Sequence, residues 1–211
     1  VQWLSEHIDD EDLVILDASM TKVVGIKNPL IYENFSCIPN AQKFDLEKTF
    51  RNADSHLPNV VPTVETFTQD IQHLGINKNN RVVIYDNQGI YSSPRAWWLF
   101  TLMGFNNVFV LDGGLPRWIE NGNITCDSYK GVFDKGDFSS DYKMSLISES
   151  QYILNNLKNQ RVCVIDVRSS SRFLGDSPDP RKDVRQGHIP NSINLPFANV
   201  LNDYCYKSPH E

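Results

Sequence analysis

The residues able to do chemistry are few and scattered. Four cysteines, Cys37, Cys126, Cys163 and Cys205, lie far apart, and no CxxC pair or Cys/His cluster has the spacing of a zinc site. A chain of 211 residues needs no disulfide staples, so they read as four free thiols in a reducing compartment. Cys163 sits in an apolar run and is expected to be buried and inert; Cys126 falls in a connecting stretch and Cys205 in a loop. Arg172 and Arg181 stand nine residues apart in a Gly/Pro-rich segment. A planar guanidinium can grip a carboxylate with two parallel hydrogen bonds, although two such residues are by default solvated surface charges. His56, in Asp54-Ser55-His56-Leu57-Pro58, follows Asp45 and Glu47, and an imidazole can accept or give up a proton; its plain reading is a loop histidine near a helix-capping acid. Asp166 closes an apolar run and His188 precedes Ile189-Pro190, positions that suit bracing of loops through backbone hydrogen bonds.

Composition excludes several classes. Twenty Lys and Arg against 26 Asp and Glu give a net charge of −6, without the basic excess of a nucleic-acid binder. The most apolar stretch, around Trp97-Trp98-Leu99-Phe100, is far short of the roughly 18 residues that span a bilayer. No positively charged start with an apolar core follows Val1, so the expected address is cytoplasmic, with a mitochondrial one open for a eukaryotic source. No metal or organic cofactor is implied.

The elements that must position these residues come from a pattern that nearly repeats. Leu13-Val14-Ile15-Leu16-Asp17 is an apolar run closed by an acid, followed later by Cys37-Ile38-Pro39-Asn40-Ala41. Val162-Cys163-Val164-Ile165-Asp166 is another, followed by His188-Ile189-Pro190-Asn191-Ser192. Ile-Pro-Asn recurs at an offset of 151 positions. Unalternated apolar runs suit parallel strands covered on both faces, at Leu13–Leu16, Val82–Tyr85, Val108–Leu111 and Val162–Ile165. Thr63 caps a helix whose stripe Val64, Phe67, Ile71, Leu74 ends at Gly75; Ser93-Pro94 opens a second that stops at Gly104. A short helix surrounds Trp118, and Ser148 with Gln151 forms a capping box for another ending near Leu157. The organisation is therefore an α/β protein of two like units: 1–122, a connector 123–143 poor in periodic apolar residues, and 144–211, the first half of a second copy.

Taken together, Tyr91 through Ser93-Pro94-Arg95 to Trp97-Trp98, Leu111-Asp112-Gly113-Gly114 with Trp118, Arg172-Phe173-Leu174-Gly175, Pro178-Asp179-Pro180-Arg181 and Gly187-His188-Ile189-Pro190 resemble the tandem rhodanese-type sulfurtransferases of the 3-mercaptopyruvate and thiosulfate group. The resemblance implies two domains, each a parallel sheet flanked by helices, the first catalytically silent and the second carrying a cysteine after its fourth strand. In the first unit the matching loop begins at Asp86, an acid in place of the nucleophile. Adding the offset puts the cysteine near position 237, so the chain is expected to be C-terminally truncated and inactive alone.

By the same resemblance, Arg172 and Arg181 hold the carboxylate of 3-mercaptopyruvate, and Arg181 after the Pro-acid-Pro string favours that donor over thiosulfate. His56 matches a proton-relay histidine, with Glu47 or Asp45 as its acid. The implied reaction moves sulfur from a small anionic donor to a thiol or cyanide through a cysteine persulfide, without nucleic acid or membrane. The competing reading is a catalytically inactive rhodanese module used for binding or regulation.

Overall fold

Val, Ile and Leu in uninterrupted runs favour strands shielded on both faces, and three such runs, joined by the short strand Ala41–Lys43, form one parallel sheet. The computed structural model describes residues 1–26, 28–131, 134–180 and 184–210. It divides into a unit Val1–Met144 and a unit Ser145–Glu211. In the first, α1 (Gln2–Glu6) leads into β1 (Leu13–Asp17) and β2 (Ala41–Lys43). Then follow α2 (Val64–His73), β3 (Arg81–Tyr85), α3 (Ser93–Leu102), β4 (Val108–Val110) and α4 (Gly114–Glu120). The strand order is β2-β1-β3-β4, with Ile15 opposite Ala41 and Val83.

Alternation along the strands sends side chains to two cores. Leu16, Val82 and Ile84 join Phe67 and Ile71 of α2 and Leu99 and Phe100 of α3 on one face. Ile15, Val83 and Tyr85 join Leu4, Leu115 and Trp118 on the other. The first core is rich in rings: Phe44 stacks on Phe50 with centroids 3.7 Å apart, and Phe67, Phe100 and Phe138 meet edge to face. Phe138 comes from the stretch read as a connector. That stretch joins the units in chain order but packs on the first: the Gly136 amide donates to the Gln72 carbonyl, Phe138 to Ile76 and Asp141 to Met103. Its sparse apolar residues hid this, because one buried phenylalanine and a run of backbone hydrogen bonds leave no periodic signature.

Helix starts differ from expectation in an instructive way. Thr63 does cap α2, its Oγ1 accepting from the Thr66 amide at 3.2 Å. Ser93, expected as a cap, is instead the first residue of α3 behind Ser92, and neither serine hydroxyl caps the helix. A carboxylate from the preceding loop accepts those amides instead, as described below.

The second unit holds α5 (Ser150–Asn159), β5 (Ile165–Asp166), α6 (Ser170–Leu174), β6 (Ile193–Asn194), β7 (Leu201–Asn202) and β8 (Cys205–Tyr206). β5 and β6 pair in parallel; β7 and β8 form an antiparallel pair, so Cys205 is on a strand rather than in a loop. The Ser148–Gln151 box does not form: Glu149 precedes the helix without a side-chain cap, and Gln151 donates instead to Asn155. The strand expected over Val162–Ile165 shortens to two residues, since β6 is its sole ladder partner among the described residues. A two-stranded sheet has little to cover it. No described residue of this unit is fully buried, and Cys163, expected inside, is exposed.

Local geometry recurs in the two units. Asn40 and Asn191 both take left-handed backbone, φ 63° and 64°. The Phe44 amide donates to the Asp17 carbonyl at 2.8 Å, and the Leu195 amide to the Asp166 carbonyl at 3.0 Å. Each acid also accepts from the amide two residues on, Ser19 and Arg168 respectively.

Candidate functional site

In open parallel sheets, loops at the carboxyl ends of strands build the sites. The first unit has there a cavity of about 480 Å³, whose walls include Asp17, Ser19, Tyr32, Lys43, Asn87 and Tyr129. Asp17 ends β1 and is 2% exposed. Its carboxylate accepts from the Ser19 amide and hydroxyl and from the hydroxyls of Tyr85 and Tyr129, at 3.2 and 2.9 Å for the last two. Burial, and then this carboxylate, push both phenols well above their ordinary range. Burial, reinforced by Asp86, pushes the Tyr32 phenol up to about 12. Lys43 donates to the Ser19 carbonyl. These groups are already satisfied by one another, so the pocket is braced rather than poised for proton transfer.

Beside it lies the loop that follows β3. Asp86 is fully buried, and its Oδ2 accepts from the amides of Tyr91 (2.9 Å), Ser92 (3.0 Å) and Ser93 (2.8 Å) and from the Ser93 hydroxyl (2.6 Å). Oδ1 accepts from the Gln88 amide at 2.9 Å. The loop curls its N–H groups around one negative charge at the start of α3, an arrangement of amides and helix dipole that favours an anion. Close packing fixes it from beneath: a Cβ on Gly114 would lie 2.3 Å from the Asp86 carbonyl oxygen. None of the four cysteines is in this loop.

The expected relay residues are not brought together. Glu47 accepts from the amide and hydroxyl of Thr21; burial raises its carboxyl, but these bonds outweigh it and the net direction is down. Asp45 accepts from the amides of Glu47 and Lys48, capping a turn. His56 is exposed, and among the described residues no hydrogen bond or ion pair reaches it. Each acid being committed to its own turn, no carboxylate–histidine pair forms.

In the second unit, charge gathers at the carboxyl end of β5. Arg168 forks onto Asp166, with Nε 3.0 Å from both carboxylate oxygens, and donates through Nη2 to the Gly187 carbonyl at 2.8 Å. This bond holds the Asp166 carboxyl below its usual range and raises the guanidinium in turn. Asp179, with a side chain 3% exposed, lies between Arg172 at 2.5 Å and Arg168 at 3.8 Å. Arg172 keeps one polar atom in reserve: its Nε is buried and without a hydrogen-bond partner. His188 stacks on Phe173 with centroids 3.7 Å apart, and its Nδ1 donates to the Phe173 carbonyl at 2.7 Å. An open cavity of about 690 Å³ is lined by Asp166, Arg168, Arg185 and the Gly187–Pro190 turn. Arg181 lies outside the described residues.

Sequence reasoning missed Arg168 and Asp179. The signals were present: a cation two residues after a strand-end acid, and the only acid between the two prolines of Pro178-Asp179-Pro180.

A four-stranded parallel sheet covered on both faces, with an anion-cradling loop after β3, defines an α/β protein whose sites are carried by strand-end loops. The rhodanese-like domain family matches residues 1–121. Mouse 3-mercaptopyruvate sulfurtransferase is 37% identical over 218 residues, covering all of this chain and 72% of the relative. The mitochondrial thiosulfate/3-mercaptopyruvate sulfurtransferase 1 of Arabidopsis thaliana is 34% identical, but this chain spans only 59% of its length. The crystal structure of SseA, a 3-mercaptopyruvate sulfotransferase from Escherichia coli, superposes with a TM-score of 0.84 at 28% identity, over 98% of this chain and 77% of that one. The chain belongs to the rhodanese-like family, in the company of the 3-mercaptopyruvate and thiosulfate sulfurtransferases. No helix among the described residues is long and apolar enough to cross a membrane.

Proposed function

We propose that the protein carrying this chain transfers sulfur from 3-mercaptopyruvate to a thiol or cyanide, and that its two units are tandem copies of one fold. The repeated Asn40/Asn191 backbone and the matching Asp17 and Asp166 turns support the duplication. The first copy is silent, because Asp86 fills the loop where a nucleophile would stand. The persulfide-forming cysteine lies beyond residue 211, near position 237 by the repeat offset. There its thiolate attacks the donor's sulfur, pyruvate departs, and a second nucleophile then takes the sulfur from the persulfide. No metal or organic cofactor is needed, since the cysteine itself carries the sulfur.

One observation carries the choice of donor: Arg172 is held by the buried Asp179 with its Nε unpartnered, a guanidinium positioned and still able to donate. With Arg181 it forms the clamp for the donor's carboxylate, a group that thiosulfate lacks. His56 with Glu47 or Asp45 serves as a relay only if the loops around them rearrange. Asp166 and His188 brace the strand-end loops.

The test is Arg181→Ala in the full-length protein, assayed with both donors. The KM for 3-mercaptopyruvate should rise while that for thiosulfate changes little, with a loss of about 2–5 kcal/mol for removing a charge partner from a partly buried site. Equal losses for both donors would remove the case for mercaptopyruvate. Mass spectrometry after donor treatment should place the added sulfur on a cysteine beyond residue 211.

A further inference from the structure

Two cysteines distant in sequence face one another in the first unit. Cys37 and Cys126 form an isolated antiparallel bridge: the Cys37 amide donates to the Cys126 carbonyl at 2.9 Å, and the Cys126 amide returns the bond at 2.9 Å. Residues that exchange both bonds are directly opposed, have Cα atoms about 5.5 Å apart and send their side chains to the same face. That separation falls inside the range a disulfide spans, about 4.4–6.8 Å. The Cys37 thiol is turned toward the Cys126 segment, with Sγ 3.5 Å from the Cys126 carbonyl oxygen and 3.3 Å from that of Ser128. Both thiols are free, Cys37 buried and Cys126 partly exposed.

We propose that Cys37 and Cys126 are a reversible disulfide site, closed by a low-molecular-weight disulfide such as oxidised glutathione, that staples the 123–130 segment to the first unit. The exposed thiol reacts first. The Cys126 thiolate attacks one sulfur of the oxidant, forming a mixed disulfide and releasing one glutathione thiolate, which takes up a proton. Cys37, once deprotonated, attacks the Cys126 sulfur; the protein disulfide forms and the second glutathione leaves as its thiol. Two protein thiols thus lose two electrons and two protons, and one oxidised glutathione becomes two reduced ones. Burial, and then the neighbouring Cys126 sulfur, push the Cys37 thiol up to about 11, so the second step is the slow one.

The pair is independent of the sulfur-transfer reading, since neither thiol lies in the loop after β3 or among the arginines of the second unit. Closing it links positions 37 and 126 through a long intervening chain, which restricts the unfolded state strongly. It also fixes the segment that carries Tyr129, whose hydroxyl donates to Asp17 in the cavity of about 480 Å³.

The full chain is incubated with oxidised glutathione, the remaining thiols are alkylated under denaturing conditions, and peptides are mapped without reduction. A Cys37–Cys126 linked peptide should appear, disappear with dithiothreitol, and be absent from both Cys126→Ser and Cys37→Ser. The unfolding midpoint should rise by roughly 5–15 °C on oxidation and by nothing in either variant. In Cys37→Ser the mixed disulfide on Cys126 should persist, which keeps the test informative if the other variant folds poorly. Full alkylation of Cys37 after oxidation, a stable glutathione adduct on Cys126 of the unsubstituted chain, or a link to Cys163 or Cys205 would each overturn the proposal.

Discussion

Replacing Asp86 with alanine is the sharpest perturbation of the first unit, because so many donors converge on one buried side chain. Five hydrogen bonds end on its carboxylate: the amides of Gln88, Tyr91, Ser92 and Ser93 and the Ser93 hydroxyl. A hydrogen bond to a charged acceptor contributes about 1.5–3 kcal/mol, and a buried donor left unpaired costs a similar amount. The five are not additive, since they share one acceptor and water can enter the space vacated. If two of the five stay unpaired, the loss is about 3–5 kcal/mol, which lowers the unfolding midpoint by roughly 10 °C. All four tryptophans, Trp3, Trp97, Trp98 and Trp118, lie in the first unit, so denaturant unfolding followed by fluorescence reports on it alone. Asp86→Asn keeps one acceptor oxygen but turns an amide donor toward other donors, and should fall between parent and alanine. An alanine variant within about 1 kcal/mol of the parent would show that the loop's amides do not depend on this carboxylate, and the account of the loop would fail.

Two further outcomes follow from the packing and the charges. Gly136→Ala places a Cβ 2.1 Å from the Ile76 carbonyl oxygen, a clash with backbone that nothing flexible can relieve. It should destabilise the first unit by about 1–3 kcal/mol by lifting Phe138 from its core, and a neutral result in the same fluorescence assay would show that 134–141 is not integral to the unit. Arg168 holds the folded Asp166 carboxyl below its ordinary value, so the unfolded state binds more protons in the acid range. The stabilisation is complete above about pH 4 and is lost as pH falls through the depressed folded value. Amide exchange at Ile193 and Leu195, which donate to the Val164 and Asp166 carbonyls, should lose protection on that descent in the parent. In Asp166→Asn protection should be low at every pH; equal profiles for the two would refute the coupling.

Some of this was readable from local pattern. Burial on both faces shows as unbroken apolar runs, so Leu13–Leu16 and Val82–Tyr85 are strands in the structure, extended by Asp17 and Arg81. Thr63 marks its helix because the cap bond is made within three residues. The caps at Ser93 and Ser148 did not follow the pattern, since the first yields to a carboxylate seven residues upstream and the second to a helix that begins later. Arg172 stood out by its segment, but its buried partner Asp179 did not, because an ion pair between loop residues has no periodic trace.

The amino-acid order by itself determined the α/β class, the recurrence of the strand-end acid with Ile-Pro-Asn, and the acid Asp86 directly after the apolar run Val82–Tyr85, all of them properties of contiguous residues. Tertiary structure alone decided that residues 123–143 pack on the first unit, that Cys37 faces Cys126, that Asp86 gathers the loop's amides, and that Glu47 and Asp45 turn to partners other than His56. These outcomes depend on backbone groups and on residues far apart in the chain. Hydrogen-bond directions and close approach are set only once the sheet has brought those segments together.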